Sequence, residues 1–149
     1  MSKDWWILII SLVSMVMAQV VKFCINSIKY KKLSFKTLKS TGDFPSSHIA
    51  FISAMCMSIL VLNNFIPNEL FFATLILLIL FIFDASGVRY QAKKHAIELN
   101  KINQELKRIN PDYTFSELKE EIGHKWFEIL GGLVLGIIIA ILIGLLVIL

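Results

Sequence analysis

The chain has 149 residues, of which 56% are hydrophobic and 17% are charged, and its mean hydropathy is +0.72. Soluble domains are closer to half apolar, so this composition is typical of a membrane protein and excludes a large soluble catalytic domain. One spanning helix uses about 20 apolar residues, which limits the chain to about four or five spans. We therefore expect a single membrane-embedded domain over residues 1–149.

Four apolar runs are long enough to cross about 30 Å of hydrocarbon as helices, and they cover residues 5–25, 45–65, 70–88 and 126–149. A secretory signal peptide is the alternative for the first run, but its apolar residues continue past Ala18, where cleavage would fall. The short polar segment 63–69 predicts a tight connection between antiparallel helices. The sequence thus predicts an all-α, polytopic bundle with four transmembrane helices.

The positively charged residues are distributed unevenly around these runs. Of the 15 Lys and Arg residues, Lys3 alone precedes the first run, six lie from Lys22 to Lys39, and eight lie from Arg89 to Lys125. Fourteen of the 15 therefore fall on one side, which predicts a cell-membrane protein with both termini outside the cytoplasm. The basic face favours the lipid bilayer and its anionic headgroups as partners, and it does not favour nucleic acid.

Two helical patterns follow the third run. Apolar residues recur at spacings of three and four and predict a helix that extends the third span until residues 110–112 end it: Ala92, Ala96, Leu99, Ile102, Leu106 and Ile109. This stripe could lie on the membrane surface, pair with a second subunit in a homodimer, or pack on the protein's own loops. Thr114 to Glu117 has a capping-box pattern, which predicts a short helix that Gly123 ends.

The fourth run contains a second kind of pattern. Small residues recur every four positions and form a ridge that lets another helix approach closely: Gly132, Gly136, Ala140 and Gly144. We interpret this ridge as a packing surface, within the chain or between subunits.

Ionisable residues at the cytoplasmic ends of the spans are costly to bury without a partner or a function. The end of the first span, the start of the second, the end of the third and the start of the fourth should lie at one level. His48 and His124 would then face each other across a pocket walled by Lys22, Arg89 and Lys93. The sequence therefore predicts a cationic site that contains two imidazoles.

Neighbouring residues add to this expected site. Glu128 lies one helical turn after His124, so its carboxylate can hold the second imidazole nitrogen. Gly42 and Pro45 predict a sharp turn and a first helical turn, whose free N–H groups attract anions. Asp84 is either a partner that allows a nearby cation to be buried or a direct participant in the site. Together these groups can supply a nucleophile, a general acid and charge stabilisation for phosphoryl transfer.

Three stretches carry a resemblance to a known family: Pro45-Ser46-Ser47-His48, Asp84-Ala85-Ser86-Gly87-Val88-Arg89, and Gly123-His124 with Glu128 and Gly131-Gly132. They resemble the divergent branch of the type 2 phosphatidic acid phosphatases, whose wider superfamily includes vanadium-dependent haloperoxidases. The resemblance extends over residues 19–136. It implies a membrane-embedded helical phosphatase that uses no metal or other cofactor.

The resemblance also implies roles for single residues. His48 would protonate the leaving oxygen, and His124 would attack phosphorus to form a phosphohistidine. Ser47 would bind the phosphate, and Glu128 stands where the superfamily commonly has an aspartate. By the charge argument above, Lys22, Arg89, Lys93 and Asp84 complete the candidate substrate-binding set.

The chain departs from the wider superfamily at its arginines. The common pattern has Lys, six residues and then Arg-Pro, and later Ser-Arg before the nucleophilic histidine. Here residues 22–39 contain no arginine, and Glu117 and Leu118 occupy the later positions. A lysine such as Lys22 or Lys119 offers a point charge where arginine offers a planar fork.

Three functions follow from these observations. The leading hypothesis is a phosphatase for a lipid phosphomonoester or pyrophosphate, with its site on the cytoplasmic side. The second is a non-catalytic binder or transporter of an anionic lipid or phosphate, which the missing arginines favour. The third is a divalent-metal site built from His48, Asp84, His124 and Glu128, although the nearby cations would repel a metal ion.

Overall fold

The computed structural model describes residues 2–30, 43–120 and 122–149. Within these residues the chain forms five helices and no strands, which confirms the all-α prediction. The helices are α1 (Lys3–Tyr30), α2 (Ser47–Leu62), α3 (Glu69–Ser86), α4 (Val88–Ile109) and α5 (Trp126–Ile148). The basic segment 31–42, with the turn predicted at Gly42, lies outside the described residues.

The apolar helices are of two lengths. Three helical stretches of the described residues are long and apolar enough to cross a membrane: Lys3–Ile28, Glu69–Ile109 and Trp126–Ile148. The fourth, α2, is apolar but has 16 residues, about 24 Å of helix against about 30 Å of hydrocarbon. It is shorter than the predicted run because Ser46 caps its start and Asn63 caps its end. The molecule is therefore a membrane-type helical bundle with three helices of spanning length.

α2 is the central helix of the bundle. It contacts α1, α3 and most extensively α5, and 11 of its residues are buried. By contrast, α3 buries only Thr74, Leu78 and Ala85. A helix that is apolar on every side and buried on most of them belongs in the interior, whereas the exposed apolar face of α3 suits contact with lipid.

Contacts along the helices define their directions. Ser14 donates a hydrogen bond to the carbonyl of Ala50 at 3.0 Å, and Gln19 donates to Ser47 at 3.1 Å, so α1 runs antiparallel to α2. α3 is also antiparallel to α2, because the predicted tight connection over residues 63–68 joins them. α5 is parallel to α2, since Gly132 contacts Ser46 near the start of α2 and Gly144 contacts Val61 near its end. The ends of α1 and α3 and the starts of α2 and α5 therefore lie at one end of the bundle.

The small-residue ridge of α5 lies against α2. A Cβ atom on Gly132 would collide with the carbonyl oxygen of Ser46, and one on Gly136 would collide with the Ser53 hydroxyl and the Ala50 carbonyl. Glycine is thus required by the close approach of the two backbones. The ridge is a packing surface within the chain, as one of its two interpretations predicted.

The helical extension after α3 is confirmed. Gly87 alone separates α3 from α4, and α4 ends at Ile109, immediately before Asn110. Of its predicted apolar stripe, Ala96 is buried, but four larger residues remain exposed: Leu99, Ile102, Leu106 and Ile109. The described loops of the protein therefore do not cover these four side chains.

The short helix predicted from Thr114 to Glu117 is wrong. Residues 113–120 contain no helix, because side chains of α4 bind this segment. Asn100 accepts a hydrogen bond from the Leu118 N–H and donates one to the Leu118 carbonyl, both at 3.0 Å. The Tyr113 hydroxyl donates to Asn103 at 2.9 Å. These contacts occupy the backbone groups of Leu118 that a helical turn would otherwise use.

Candidate active site

The start of α2 is fixed by hydrogen bonds to α5. Ser46 is the N-cap, and its hydroxyl accepts a hydrogen bond from the Ile49 N–H at 3.5 Å. The N–H of Ser46 donates to the Glu128 carbonyl at 2.9 Å. Pro45, which follows a cis peptide bond, lies before the N-cap and not in the first helical turn as predicted. This arrangement places His48 in the first turn of α2.

His124 is held where α3, α4 and α5 meet. Its backbone N–H donates a hydrogen bond to the carbonyl of Ala85, near the end of α3, at 3.1 Å. The preceding residue, Gly123, has a φ of 73°, and a Cβ there would come within 2.7 Å of the Arg89 carbonyl oxygen. Gly123 is therefore required by its left-handed backbone and by its contact with the start of α4. It fixes the position of His124 and does not end a helix.

A small cavity of about 70 Å³ lies between α2 and α3 and the starts of α4 and α5. Eight residues line it: Ser46, His48, Ile49, Phe81, Asp84, Ala85, Arg89 and His124. Four of the predicted site residues, the two histidines, Asp84 and Arg89, thus share one cavity although they come from three separate stretches of sequence. The lining also includes three apolar residues, Ile49, Phe81 and Ala85.

Asp84 and Arg89 form an ion pair at this cavity, through the Arg89 Nε–H and one carboxylate oxygen. Both side chains are about half exposed, at 58% for Arg89 and 43% for Asp84. The chain has one other arginine, Arg108, and it pairs with Glu105 at 2.8 Å. Arg89 is consequently the arginine available to the site, and Asp84 neutralises part of its charge.

His124 lies in a buried and positively charged environment. Its side chain is 7% exposed, and its Nε2 atom has no hydrogen-bond partner among the described residues. The pKa of His124 is lowered to about 4, chiefly by burial and in addition by the charges of Lys22, His48, Arg89 and Lys93. The imidazole is therefore neutral at pH 7, which leaves a nitrogen lone pair available for nucleophilic attack.

α1 contributes a buried cation to the same region. Lys22 is 1% exposed, and its Nζ has no hydrogen-bond partner among the described residues. It interacts electrostatically with Asp43, Glu128 and both site histidines. A buried ammonium group without a hydrogen-bonded partner is unfavourable unless it meets an anion, so Lys22 is suited to bind one.

One polar residue of this region, Asn26, was not identified by the sequence analysis. The Asn26 side chain, which is 6% exposed, donates a hydrogen bond to the Asp43 carboxylate at 3.2 Å. This bond ties the end of α1 to the segment before α2. The spacing of Gln19, Lys22 and Asn26, at intervals of three and four, was the available signal, because it places all three on one face of α1.

Four predicted site residues do not line the cavity: Lys22, described above, and Ser47, Lys93 and Glu128. Ser47 is buried and bonded to Gln19, and Lys93 is partly buried on α4. Glu128 accepts a hydrogen bond from the Lys125 N–H at 2.9 Å and so caps the start of α5. The hydrogen bond expected from His124 to Glu128 is therefore absent between these two described residues.

The described residues do not bring together the ligand set of the metal-site hypothesis. They contain no group of three or more His, Cys, Asp or Glu side chains that could hold a metal ion. Of the four residues that hypothesis requires, Asp84 is engaged by Arg89, and Glu128 is engaged by the backbone of Lys125.

The fold and the site define a class: a membrane-type helical bundle with a two-histidine cavity where its helix ends meet. Over residues 4–139 the chain matches the family described as the Divergent PAP2 family, and it belongs to that family. A similar protein is the "Uncharacterized membrane protein YuiD" of Bacillus subtilis (strain 168), which is 32% identical over 147 residues covering 92% of each chain. No solved structure matches the chain. The resemblance drawn from the residues is confirmed at the level of the family.

Proposed function

We propose that the protein is an integral membrane phosphatase that hydrolyses a lipid phosphomonoester or pyrophosphate. The observation that carries this proposal is the shared cavity of His48 and His124, with Arg89 at its wall. The buried Nε2 of His124, which has no hydrogen-bond partner among the described residues, adds support. Membership of the Divergent PAP2 family is consistent with this chemistry.

In the proposed reaction, a neutral ring nitrogen of His124 attacks phosphorus. The bond between phosphorus and the leaving oxygen breaks, and His48 gives that oxygen a proton. A water molecule then attacks the phosphohistidine and transfers a proton to His48. The P–N bond breaks, inorganic phosphate leaves, and both histidines return to their starting protonation states.

In this proposal the surrounding polar and charged residues bind and stabilise the phosphate anion. Lys22, Arg89 and Lys93 stabilise negative charge on the phosphoryl oxygens, and the Ser47 hydroxyl donates a hydrogen bond to one of them. Asp84 orients Arg89 through their ion pair. Glu128 acts on the site indirectly, since it caps the α5 helix that follows His124.

We further propose that α2 crosses the membrane as a fourth, short span and that both termini lie outside the cytoplasm. The helix directions support this arrangement, because the ends of α1 and α3 and the starts of α2 and α5 share one end of the bundle. Fourteen of the 15 cationic residues lie toward that end in the sequence-based topology. The site would then face the cytoplasm and bind lipid phosphates of the inner leaflet.

The test is phosphate release from lipid phosphates by the purified protein in detergent, with a chelator present. His124→Ala is expected to lower the rate by more than about a thousandfold, because it removes the nucleophile. His95→Ala is the matched control, since His95 is exposed on α4, and it should retain the full rate. Vanadate should inhibit, and in sealed vesicles only substrate on the cytoplasmic side should react. Full activity of His124→Ala would contradict the assignment of the nucleophile.

A non-catalytic binder or transporter of the same anion is the second candidate. The Asp84–Arg89 ion pair favours it, because this pair engages the cavity's arginine and weakens its hold on a reacting phosphoryl group. Phosphate binding without phosphate release, across a panel of lipid phosphates, would support this candidate over the phosphatase.

A further inference from the structure

The Gln19 side chain reaches from α1 to the start of α2. Its Nε2 atom lies 3.1 Å from the Ser47 hydroxyl oxygen and donates a hydrogen bond to it. Ser47 is 4% exposed and directly precedes the site residue His48. Gln19 also precedes Lys22 by three residues, so the two side chains share one face of α1.

The direction of this hydrogen bond determines what Ser47 can do. A hydroxyl group has one proton to donate and two lone pairs that accept. The Gln19 amide donates to the Ser47 hydroxyl oxygen and so occupies one of that oxygen's lone pairs. The hydroxyl proton of Ser47 is left free for another acceptor. A residue at position 19 that only accepts hydrogen bonds would take that proton for itself.

Packing alone does not explain a glutamine at this position. Its Oε1 atom is buried and has no hydrogen-bond partner among the described residues. Burying an unpaired amide oxygen has a free-energy cost that leucine or methionine of similar size would avoid. The polar group must therefore contribute something that an apolar side chain cannot.

We propose that Gln19 is a positioning residue that directs the Ser47 hydroxyl proton toward a phosphate oxyanion bound beside His48. The inference rests on the proposed function, because it requires a phosphate group in the site. That group is either the headgroup of a lipid phosphomonoester or free inorganic phosphate, which have the same oxygen chemistry. Gln19 is not among the residues that line the cavity.

The test is a double-mutant cycle on the full chain in detergent, with Gln19→Leu, Ser47→Ala and both together. The dissociation constant of inorganic phosphate is measured by calorimetry, and that of a non-hydrolysable phosphonate analogue of a lipid phosphomonoester in mixed micelles by competition. Each single variant should weaken binding by about tenfold, as expected for one hydrogen bond to a charged group. The double variant should bind no more weakly than Ser47→Ala, because both changes remove the same interaction.

Gln19→Glu provides a second, nearly isosteric variant in case Gln19→Leu folds poorly. Its ionised carboxylate can only accept hydrogen bonds, so it should weaken phosphate binding at least as much as the leucine variant. Gln104→Leu, on the exposed side of α4, is the control that should keep the wild-type constant. Weakened binding of the lipid alone would assign the oxyanion to the headgroup, and weakened binding of both probes would assign it to phosphate in general.

The outcomes separate this inference from the proposed function. If the wild-type protein binds neither probe, the phosphate site itself is contradicted. If the wild type binds and Ser47→Ala weakens binding while both Gln19 variants do not, only the role of Gln19 is overturned. Losses that multiply in the double variant would also overturn it, because they would show that Gln19 acts independently of Ser47.

Discussion

His124 shows how burial prepares a single residue for chemistry. The pKa of its imidazole is lowered to about 4, first by burial and then by the neighbouring positive charges. Because the side chain is neutral at pH values well above 4, no separate base is needed to deprotonate it in the proposed reaction. The same burial that costs solvation therefore leaves the neutral nitrogen that this reaction requires.

The first prediction follows from this pKa. In the folded protein, the His124 imidazole should stay neutral from pH 8 to pH 5 and gain a proton only near pH 4. Nuclear magnetic resonance of the histidine-labelled protein in detergent measures the pKa of this imidazole. The His124 signal is assigned by its loss in the His124→Asn variant. Titration of that signal near pH 6.5 would contradict the buried environment.

The stability of the fold should depend on pH through the same group. The unfolded chain binds a proton at His124 near pH 6.5, whereas the folded chain binds it only near pH 4. Between these values the unfolded state holds more protons, so the free energy of unfolding should fall as the pH decreases. The His124→Asn variant should lack this part of the decrease.

Several single residues of the site could be predicted from the sequence. The two histidines, Asp84 and Arg89 were identifiable because ionisable side chains at the ends of apolar runs are rare and costly. The partner of Glu128 was not, because a carboxylate three residues into a helix can reach either its own N-cap or a neighbouring imidazole. In the folded chain it binds the Lys125 N–H.

At the scale of elements, the contact between α2 and α5 supports the site. It joins Ser46 to the carbonyl of Glu128, and thus connects the segment carrying His48 to the segment carrying His124. The glycines of α5 make this contact possible because they let the two backbones approach. Changes on this face should therefore destabilise the bundle.

Gly136→Ala should lower the free energy of unfolding by about 1–3 kcal/mol, as overpacking does. Its added methyl group would meet the Ala50 carbonyl, which cannot move without shifting α2. Gly144→Ala is the matched control, because its methyl group would meet the Val61 side chain and should cost less. Thermal unfolding in detergent ranks the two variants. Equal stability of Gly136→Ala and wild type would contradict the packing described.

Elements differ in how far local sequence determines them. The apolar runs predicted α1, α3 and α5 to within a few residues, because a continuous apolar helix is stable both in lipid and in a protein core. The segment 113–120 was mispredicted because its capping pattern competes with the Asn100 side chain. That competitor lies 18 residues away in sequence, and no local pattern reveals it.

At the scale of the whole molecule, alternating helix directions bring distant residues together. Every second crossing of the bundle returns the chain to the same end, where His48, Asp84, Arg89 and His124 line one cavity. This convergence was predictable from the order of apolar runs and charges alone. The burial of Lys22 was not, because it depends on how α1 packs against α2.

The central claim is that His124 forms a covalent bond to phosphorus during turnover, and trapping that intermediate tests it most directly. A lipid phosphate labelled with ³²P is mixed with the protein, the reaction is stopped in alkali, and the labelled peptide is sequenced by mass spectrometry. The account predicts phosphate on His124 and none in the His124→Asn variant. Turnover with an unlabelled protein, or with the label on another residue, would contradict it.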